Sequence, residues 1–338
     1  MSAERRSERR VSSPALRLRD DRDTLARRRR ITPISTGKRV TAQERDLLWF
    51  QKLQQHGPLP SSYLLAYTKH LLRSEKRAKE RLTDLFNEDD TLHGGRYLER
   101  PPQQFRTLDS RYNQLVYDLA PAAKRALRDA GRGQDVVTAA SGPWLHRHMV
   151  ACVTASIELA TIERPDLTFI PQRAILARAG GALGYPVRIS EPATGQNVIK
   201  KLIPDALFGL EYQTAAGSRF RFLFVECDRA TEPASSANFN RKSWLRSLRQ
   251  HAAYVGAGRY REHLQLTAPL LVLNITSDAA RMAKLITVTE QLSGAVSYQL
   301  FQTWEAFGPI WRPPQPNERL PDAACRRVGC EAFRIDRA

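Results

Sequence analysis

Cysteine is scarce in this 338-residue chain and widely scattered: of the four, only Cys325 and Cys330 lie close together. A lone C-x4-C lacks the second pair of ligands that a zinc module needs, and four isolated thiols fit a reducing cytosol better than a disulfide framework. Long apolar runs are missing too. No segment is long and apolar enough to span a bilayer, and the charged N-terminus is not followed by the apolar stretch of a signal peptide. Acids are in short supply, with 35 Asp and Glu against 53 Lys and Arg, a formal net charge of +18. Such a chain repels itself and calls for a polyanionic partner. Nucleic acid fits this better than a membrane surface. RNA is disfavoured, because neither an RNP-type aromatic strand nor a Gly-rich clamp is present.

What is present reads as a soluble protein of two domains, with length enough for a full core. Residues 1–38 are rich in arginine, ending near Arg27, Arg28, Arg29 and Arg30, and have few large apolar residues. Such a stretch cannot offset its ordering entropy by burial, so it is expected to be a disordered basic arm that touches phosphates. Thr41 and Glu44 have capping-box spacing, which starts a helix running to Gly57. Pro58 to Pro60 reads as a turn, Ser62–Leu72 as a second helix and Ser74–Phe86 as a third. The third carries Ala78, Leu82 and Leu85 on one side and Lys76, Arg77, Lys79 and Arg81 over much of the rest. Strands at Arg96–Glu99 and Gln114–Leu119 and a helix from Pro121 complete residues 39–130. Three helices followed by a hairpin is the order of a winged helix-turn-helix, in which the basic third helix would enter the major groove of double-stranded DNA.

A small, polar stretch at 131–142 reads as a linker. Beyond it, two strand-like runs carry acids at matching places: Lys201–Phe208 with Asp205, and Phe220–Asp228 with Glu226 and Asp228. Alternation puts Glu226 and Asp228 on one face, and pairing across the Gln213–Ser218 turn would bring in Asp205. Three converging carboxylates repel, so they must hold protons, pair with arginines or attract a cation such as Mg2+. Glu158, near the end of a helix at Trp144–Thr161, is a further candidate for this cluster. His146 and His148 read as packing or surface residues. Helices at Asn238–Val255 and Asp278–Leu292 alternate with strands at Pro269–Ile275 and Val296–Phe301. The Pro269–Ile275 run is apolar throughout, the mark of a strand covered on both faces. Residues 309–338, rich in proline and arginine, read as an irregular tail.

The order of elements over 143–308, with Pro204-Asp205 on one strand and Glu226-Cys227-Asp228 on the next, resembles the restriction-endonuclease-like PD-(D/E)xK fold. Together with the N-terminal helices and the residues Glu226, Asp228, Arg229, Thr231 and Glu232, the chain resembles the replication-relaxation family of bacterial plasmids, phages and integrative elements. The resemblance implies an α/β chain: a winged helix-turn-helix, then a nuclease-like α/β domain with a mixed sheet. It implies a cytoplasmic, nucleoid-associated DNA-binding factor whose second domain is a scaffold or homodimer surface. The alternative is an Mg2+-dependent endonuclease in which Asp205 and Glu226, with Asp228, hold the metal. One departure favours the first reading. Active nucleases of this fold carry a lysine where this chain has Asp228, so Lys242 on the following helix would have to reach back in its place, with Lys200 and Lys201 as the other candidates.

Overall fold

A computed structural model describes residues 30–89, 91–106, 112–133, 142–191, 194–230, 233–234, 239, 241–294, 296–307 and 312–338. Arg27, Arg28 and Arg29, most of the 131–142 stretch, and Thr231 and Glu232 lie outside the described residues. The described chain is a mixed α/β structure: helices at the N-terminus, then a seven-stranded mixed sheet.

The N-terminal unit comprises α1 (Glu44–His56), β1 (Leu59–Pro60), α2 (Ser61–Tyr67), α3 (Glu75–Asn87), β2 (Leu98–Glu99), β3 (Val116–Leu119) and α4 (Pro121–Asp129). Its small antiparallel sheet has the order β1-β3-β2, with Leu59 opposite Tyr117 and Leu98 opposite Leu119. Residues 58–60, read as a turn, therefore contribute an edge strand; Pro60 has no N–H to donate, and an edge is where a sheet tolerates that. The α1 start also shifts. Asp46, rather than Glu44, accepts a backbone hydrogen bond, from Gln43 N at 2.9 Å. The cause is tertiary: Asp46 is fully buried and held by the Arg81 guanidinium at 2.6 Å. In α3 the expected pattern holds, with Ala78, Leu82 and Leu85 buried and Ser74 capping Arg77 N at 3.4 Å.

The C-terminal end of the basic arm is not free. Arg30 donates to Asn113 O at 3.0 Å, Ile34 N to Asn87 Oδ1 at 3.2 Å, and Thr36 N and Oγ1 to Glu88 at 3.0 and 2.8 Å. Residues 34–38 are thus tied to the end of α3, and Arg30 to the segment before β3. Composition hid this, because the tie is made by backbone and small hydroxyl groups rather than by apolar burial.

The second unit contains α5 (Trp144–Ile162), β4 (Leu167–Pro171), α6 (Gln172–Ala179), β5 (Tyr185–Ser190), β6 (Asn197–Leu202), β7 (Ala206–Thr214), β8 (Gly217–Asp228), α7 (Trp244–His251), α8 (Tyr260–His263), β9 (Leu270–Thr276), α9 (Ala279–Ser293), β10 (Val296–Thr303), β11 (Cys325–Val328) and β12 (Cys330–Phe333). The sheet order is β12-β11-β10-β9-β8-β7-β4, with β8, β9 and β10 parallel and the other pairs antiparallel. The continuous apolar run became β9, the central strand. The Lys201–Phe208 run, read as one strand, is split: β6 ends at Leu202, β7 begins at Ala206, and Pro204 interrupts the ladder between them. β5 and β6 form a separate two-stranded hairpin.

Residues 309–338 are not a tail. β11 and β12 extend the sheet beyond β10, Cys325 and Ile335 are buried, and Tyr212 Oη donates to Ile335 O at 2.5 Å. The segment also reaches the first unit, where Gln114 Nε2 donates to Pro314 O at 2.9 Å and Tyr63 Oη to Gln315 O at 3.2 Å. Two four-residue strands, β11 with Arg326 and Arg327 between its buried ends and β12 with no buried position, leave little period for a sequence reading to find.

One apolar core runs through both units. Trp49, Phe50, Tyr63 and Leu82 belong to the same buried cluster as Met149 and Ile157 of α5 and Phe208, Leu223 and Leu273 of the sheet. Glu158 faces the first unit, not the acidic hairpin. Its carboxylate accepts from Lys52 Nζ at 2.7 Å, Gln55 Nε2 at 3.1 Å and Tyr67 Oη at 2.8 Å, and lies 2.7 Å from His56 Nε2. Burial alone would raise its pKa, but His56 and Lys52 outweigh burial and hold it well below the usual carboxylate range. Burial lowers the His56 pKa, so replacing Glu158 by Ala chiefly strands the Lys52 charge and leaves His56 and Tyr67 without their acceptor, a situation that costs about 3–5 kcal/mol. The shift of the denaturant midpoint measures this; a loss under about 1 kcal/mol would place the pair among weak surface bridges.

Candidate functional site

The register Ala206↔Val225 brings Asp205, in the gap before β7, beside Glu226 near the end of β8. Asp205 N donates to Val225 O at 3.1 Å, and Cys227 N donates back to Asp205 Oδ2 at 2.8 Å. The second carboxylate oxygen, Oδ1, lies 3.0 Å from His146 Nε2 on the first turn of α5. Glu226 Oε1 lies 3.3 Å from Nε2 of the fully buried His251, the last residue of α7. His251 Nδ1 meets Gln299 Nε2 at 3.3 Å, and Gln299 Oε1 accepts from Asn274 Nδ2 at 2.8 Å. With the amides so oriented, His251 Nδ1 accepts from Gln299, and the proton on Nε2 is donated to Glu226.

The electrostatics follow from two acids sharing a dry place. Burial first, and the Asp205 charge second, push the Glu226 carboxyl above its ordinary pKa. Adjacent carboxylates in low dielectric resist joint ionisation, so Glu226 is the acid that keeps a proton to higher pH. Burial opposes a charge on His146, yet the Asp205 hydrogen bond and charge outweigh it, and the imidazole is raised above its usual value. Lys242 acts electrostatically on both Glu226 and His146. It sits just ahead of α7 rather than on it, and is exposed.

Asp228 goes elsewhere. Strand alternation does put it on the Glu226 side, but its Oδ2 accepts from Arg281 of α9 at 2.9 and 2.5 Å, and its Oδ1 accepts from Ala230 N at 2.6 Å. The cation that pairs with it comes from more than fifty residues away, beyond the reach of any sequence spacing. The three acids therefore have separate partners: His146, His251 and Arg281.

This donor set does not fit Mg2+. That ion demands near-octahedral oxygen ligands at about 2.0–2.1 Å, whereas both Asp205 oxygens and Oε1 of Glu226 face nitrogen groups of the protein. Among the described residues no group of three His, Cys, Asp or Glu is arranged to hold a metal ion. The metal expectation for Asp205, Glu226 and Asp228 assumed convergence on a common point, and Arg281 draws Asp228 away from it.

His146 and His251 were not picked out as site residues. A signal existed for His146. Residues two apart on a helix point about 200° apart, so His146 and His148 could not share a role. His148 is buried against Trp144, with ring centroids 5.1 Å apart and planes 4° apart, and burial lowers its pKa to about 4. His146 is left to face the acids. His251 carried no such mark.

On α3, Lys76, Arg77 and Lys79 are exposed, though Lys79 pairs with Glu75 at 2.5 Å. Arg81 is committed inward: besides Asp46, it donates to Thr41 O at 2.6 Å. The basic face of α3 is thus one arginine smaller than its sequence suggests.

The Asp228–Arg281 pair gives a direct check. Arg281→Ala should destabilise by about 3–5 kcal/mol, since Asp228 would remain largely buried without its cation. Adding Asp228→Ala should recover most of that loss. A double variant no more stable than Arg281→Ala would show that the two side chains do not couple.

A family model described as replication-relaxation matches residues 50–268, from within α1 to the loop before β9, including the acid pair and Lys242. No curated protein and no solved structure matches the chain. Among the described residues, no helix is long and apolar enough to cross a membrane. The family match spans well over half of the sequence and contains the Asp205–Glu226 hairpin on which the resemblance was first drawn, and the chain belongs to the replication-relaxation family.

Proposed function

We propose that this protein is a DNA-binding factor of a bacterial mobile element, acting alone or as a homodimer in replication, transfer or transcription. Its nuclease-like pocket is structural rather than catalytic. The observation that carries the second point is the separate pairing of Asp205, Glu226 and Asp228 with His146, His251 and Arg281. Support for DNA comes from the net charge of +18, from family membership, and from an N-terminal unit whose helices and β2–β3 hairpin suit a winged helix. In that reading α3 enters the major groove with Lys76, Arg77 and Lys79, and Arg81 serves the fold. The arm residues Arg27, Arg28 and Arg29 add phosphate contacts, while Arg30 is held by Asn113.

One observation favours the second reading, a metal-dependent endonuclease. Lys242 acts on Glu226 and His146, which is where a lysine relocated from the Asp228 position would be needed. In that case Asp205 and Glu226 would have to exchange their nitrogen partners for the metal when DNA binds.

A plasmid cleavage assay with Mg2+ or Mn2+, run beside a gel shift on the same DNA, separates the two. We expect binding without cleavage. Nicking that requires metal and disappears in Glu226→Ala would establish the nuclease instead, and Lys242→Ala should then slow it by about 3 kcal/mol of barrier.

Binding should fall steeply with salt. The arm and α3 together neutralise on the order of five to eight phosphates, each adding about −0.9 to the log–log slope. Replacing Lys76, Arg77 and Lys79 by Ala should weaken a preferred site more than random DNA, by about 1–3 kcal/mol for each base contact. Equal loss on both DNAs would reduce α3 to a backbone clamp.

A further inference from the structure

The β5–β6 hairpin lies outside the seven-stranded sheet, and the acid pocket makes no use of its outer face. Alternation divides its residues sharply. Val187, Ile189 and Leu202 are buried in a second apolar cluster with Tyr254 and Phe224. Pro186, Arg188, Asn197, Ile199 and Lys201 are exposed on the other face. Arg188 stands opposite Ile199, and Lys201 opposite Pro186, so two cations flank an isoleucine that is 66% exposed. Neither strand contains an acid.

The hairpin is also held firmly. From α7, Arg249 donates to Ser190 O at 3.2 Å and Gln250 Nε2 to Lys201 O at 3.1 Å. The Lys201 side chain runs over Gly184 so closely that a Cβ there would lie 2.4 Å from its Cε. Arg241, exposed, stands just ahead of the helix that grips the hairpin.

We propose that the outer face of the β5–β6 hairpin is a second DNA contact, with Arg188 and Lys201 on backbone phosphates and Ile199 against the groove between them. This rests on the DNA-binding reading above and adds a site in the other unit. A two-stranded antiparallel ribbon has the width of a B-DNA major groove. Holding the ribbon in advance reduces the ordering cost of binding. Two phosphate contacts on one rigid ribbon add directly to the electrostatic part of affinity. An anionic lipid surface is the weaker fit, because membrane-seeking faces present a broad apolar stripe and this one presents a single central isoleucine.

The test uses the full chain carrying Arg188→Gln and Lys201→Gln, titrated by fluorescence anisotropy with a duplex of about 40 base pairs across a salt series. Losing two phosphate contacts should make the log–log slope shallower by about 1.8, which corresponds to roughly sixtyfold weaker binding at 0.1 M salt and convergence with wild type near 1 M. Both side chains are exposed, so the melting temperature should hold, and Ile199→Ser should weaken binding without changing the slope. A double variant that binds DNA like wild type overturns the hairpin proposal and leaves the α3 reading standing. The same result together with lost binding to phosphatidylglycerol vesicles would move the hairpin to a membrane. Wild-type protein that fails to bind the duplex even at low salt would remove both DNA readings.

Discussion

The arrangement of this molecule depends on the burial of one carboxylate. Glu158 sits in α5, in the second unit, yet the groups that compensate it are Lys52 and His56 of α1 and Tyr67 of α2. A buried acid without such partners costs several kcal/mol, so the units cannot separate without exposing or stranding it. The constraint travels along α5. His146 lies twelve residues before Glu158, about 18 Å along a helix at 1.5 Å per residue. One end of α5 is therefore locked to the helical unit while the other delivers an imidazole to Asp205. The shared apolar core and the chain segment after Pro313, which returns to Gln114 and Tyr63, reinforce the same union.

The acid pocket shows how clustered carboxylates can be compensated by the protein's own groups. Acids clustered in a sheet need positive charge or N–H donors, and a catalytic site of this kind draws part of that from metal and lysine. Here the protein supplies it from its own elements: the start of α5, the end of α7 and the side of α9. The Asp205–Glu226 pair keeps its strand-end position, and Lys242 keeps its electrostatic reach. Asp228 is turned into a tether for α9. Such a site fixes α5, α7 and α9 against the acid-bearing strands, and under the proposed function that is its present role.

On the surface, charge is spread rather than concentrated. α3 mixes Lys76, Arg77 and Lys79 with Glu75 and Glu80, whereas the outer face of the β5–β6 hairpin has cations and no acid. If DNA meets both, the two units read one duplex through separate elements held at a fixed separation. The union through Glu158 is what would fix it.

The sequence alone determined most of the elements and their order. Apolar periodicity located α3, α5 and α9 within a residue or two, the apolar run of 269–275 marked the central strand, and pairing of two acid-bearing runs across the Gln213–Ser218 turn brought Asp205 beside Glu226. These features were legible because each is written in neighbouring residues. Tertiary structure decided everything that depends on distant partners. Arg281 took Asp228 out of the acid cluster, Arg81 left the exposed basic face of α3 for Asp46, and Glu158 faced α1 instead of the hairpin. The supposed tail became two strands because a sheet edge was waiting for short segments whose own pattern is too brief to announce them. A charge's sign is fixed by its residue, but its role is fixed by what is buried beside it, and that is known only once the chain has folded.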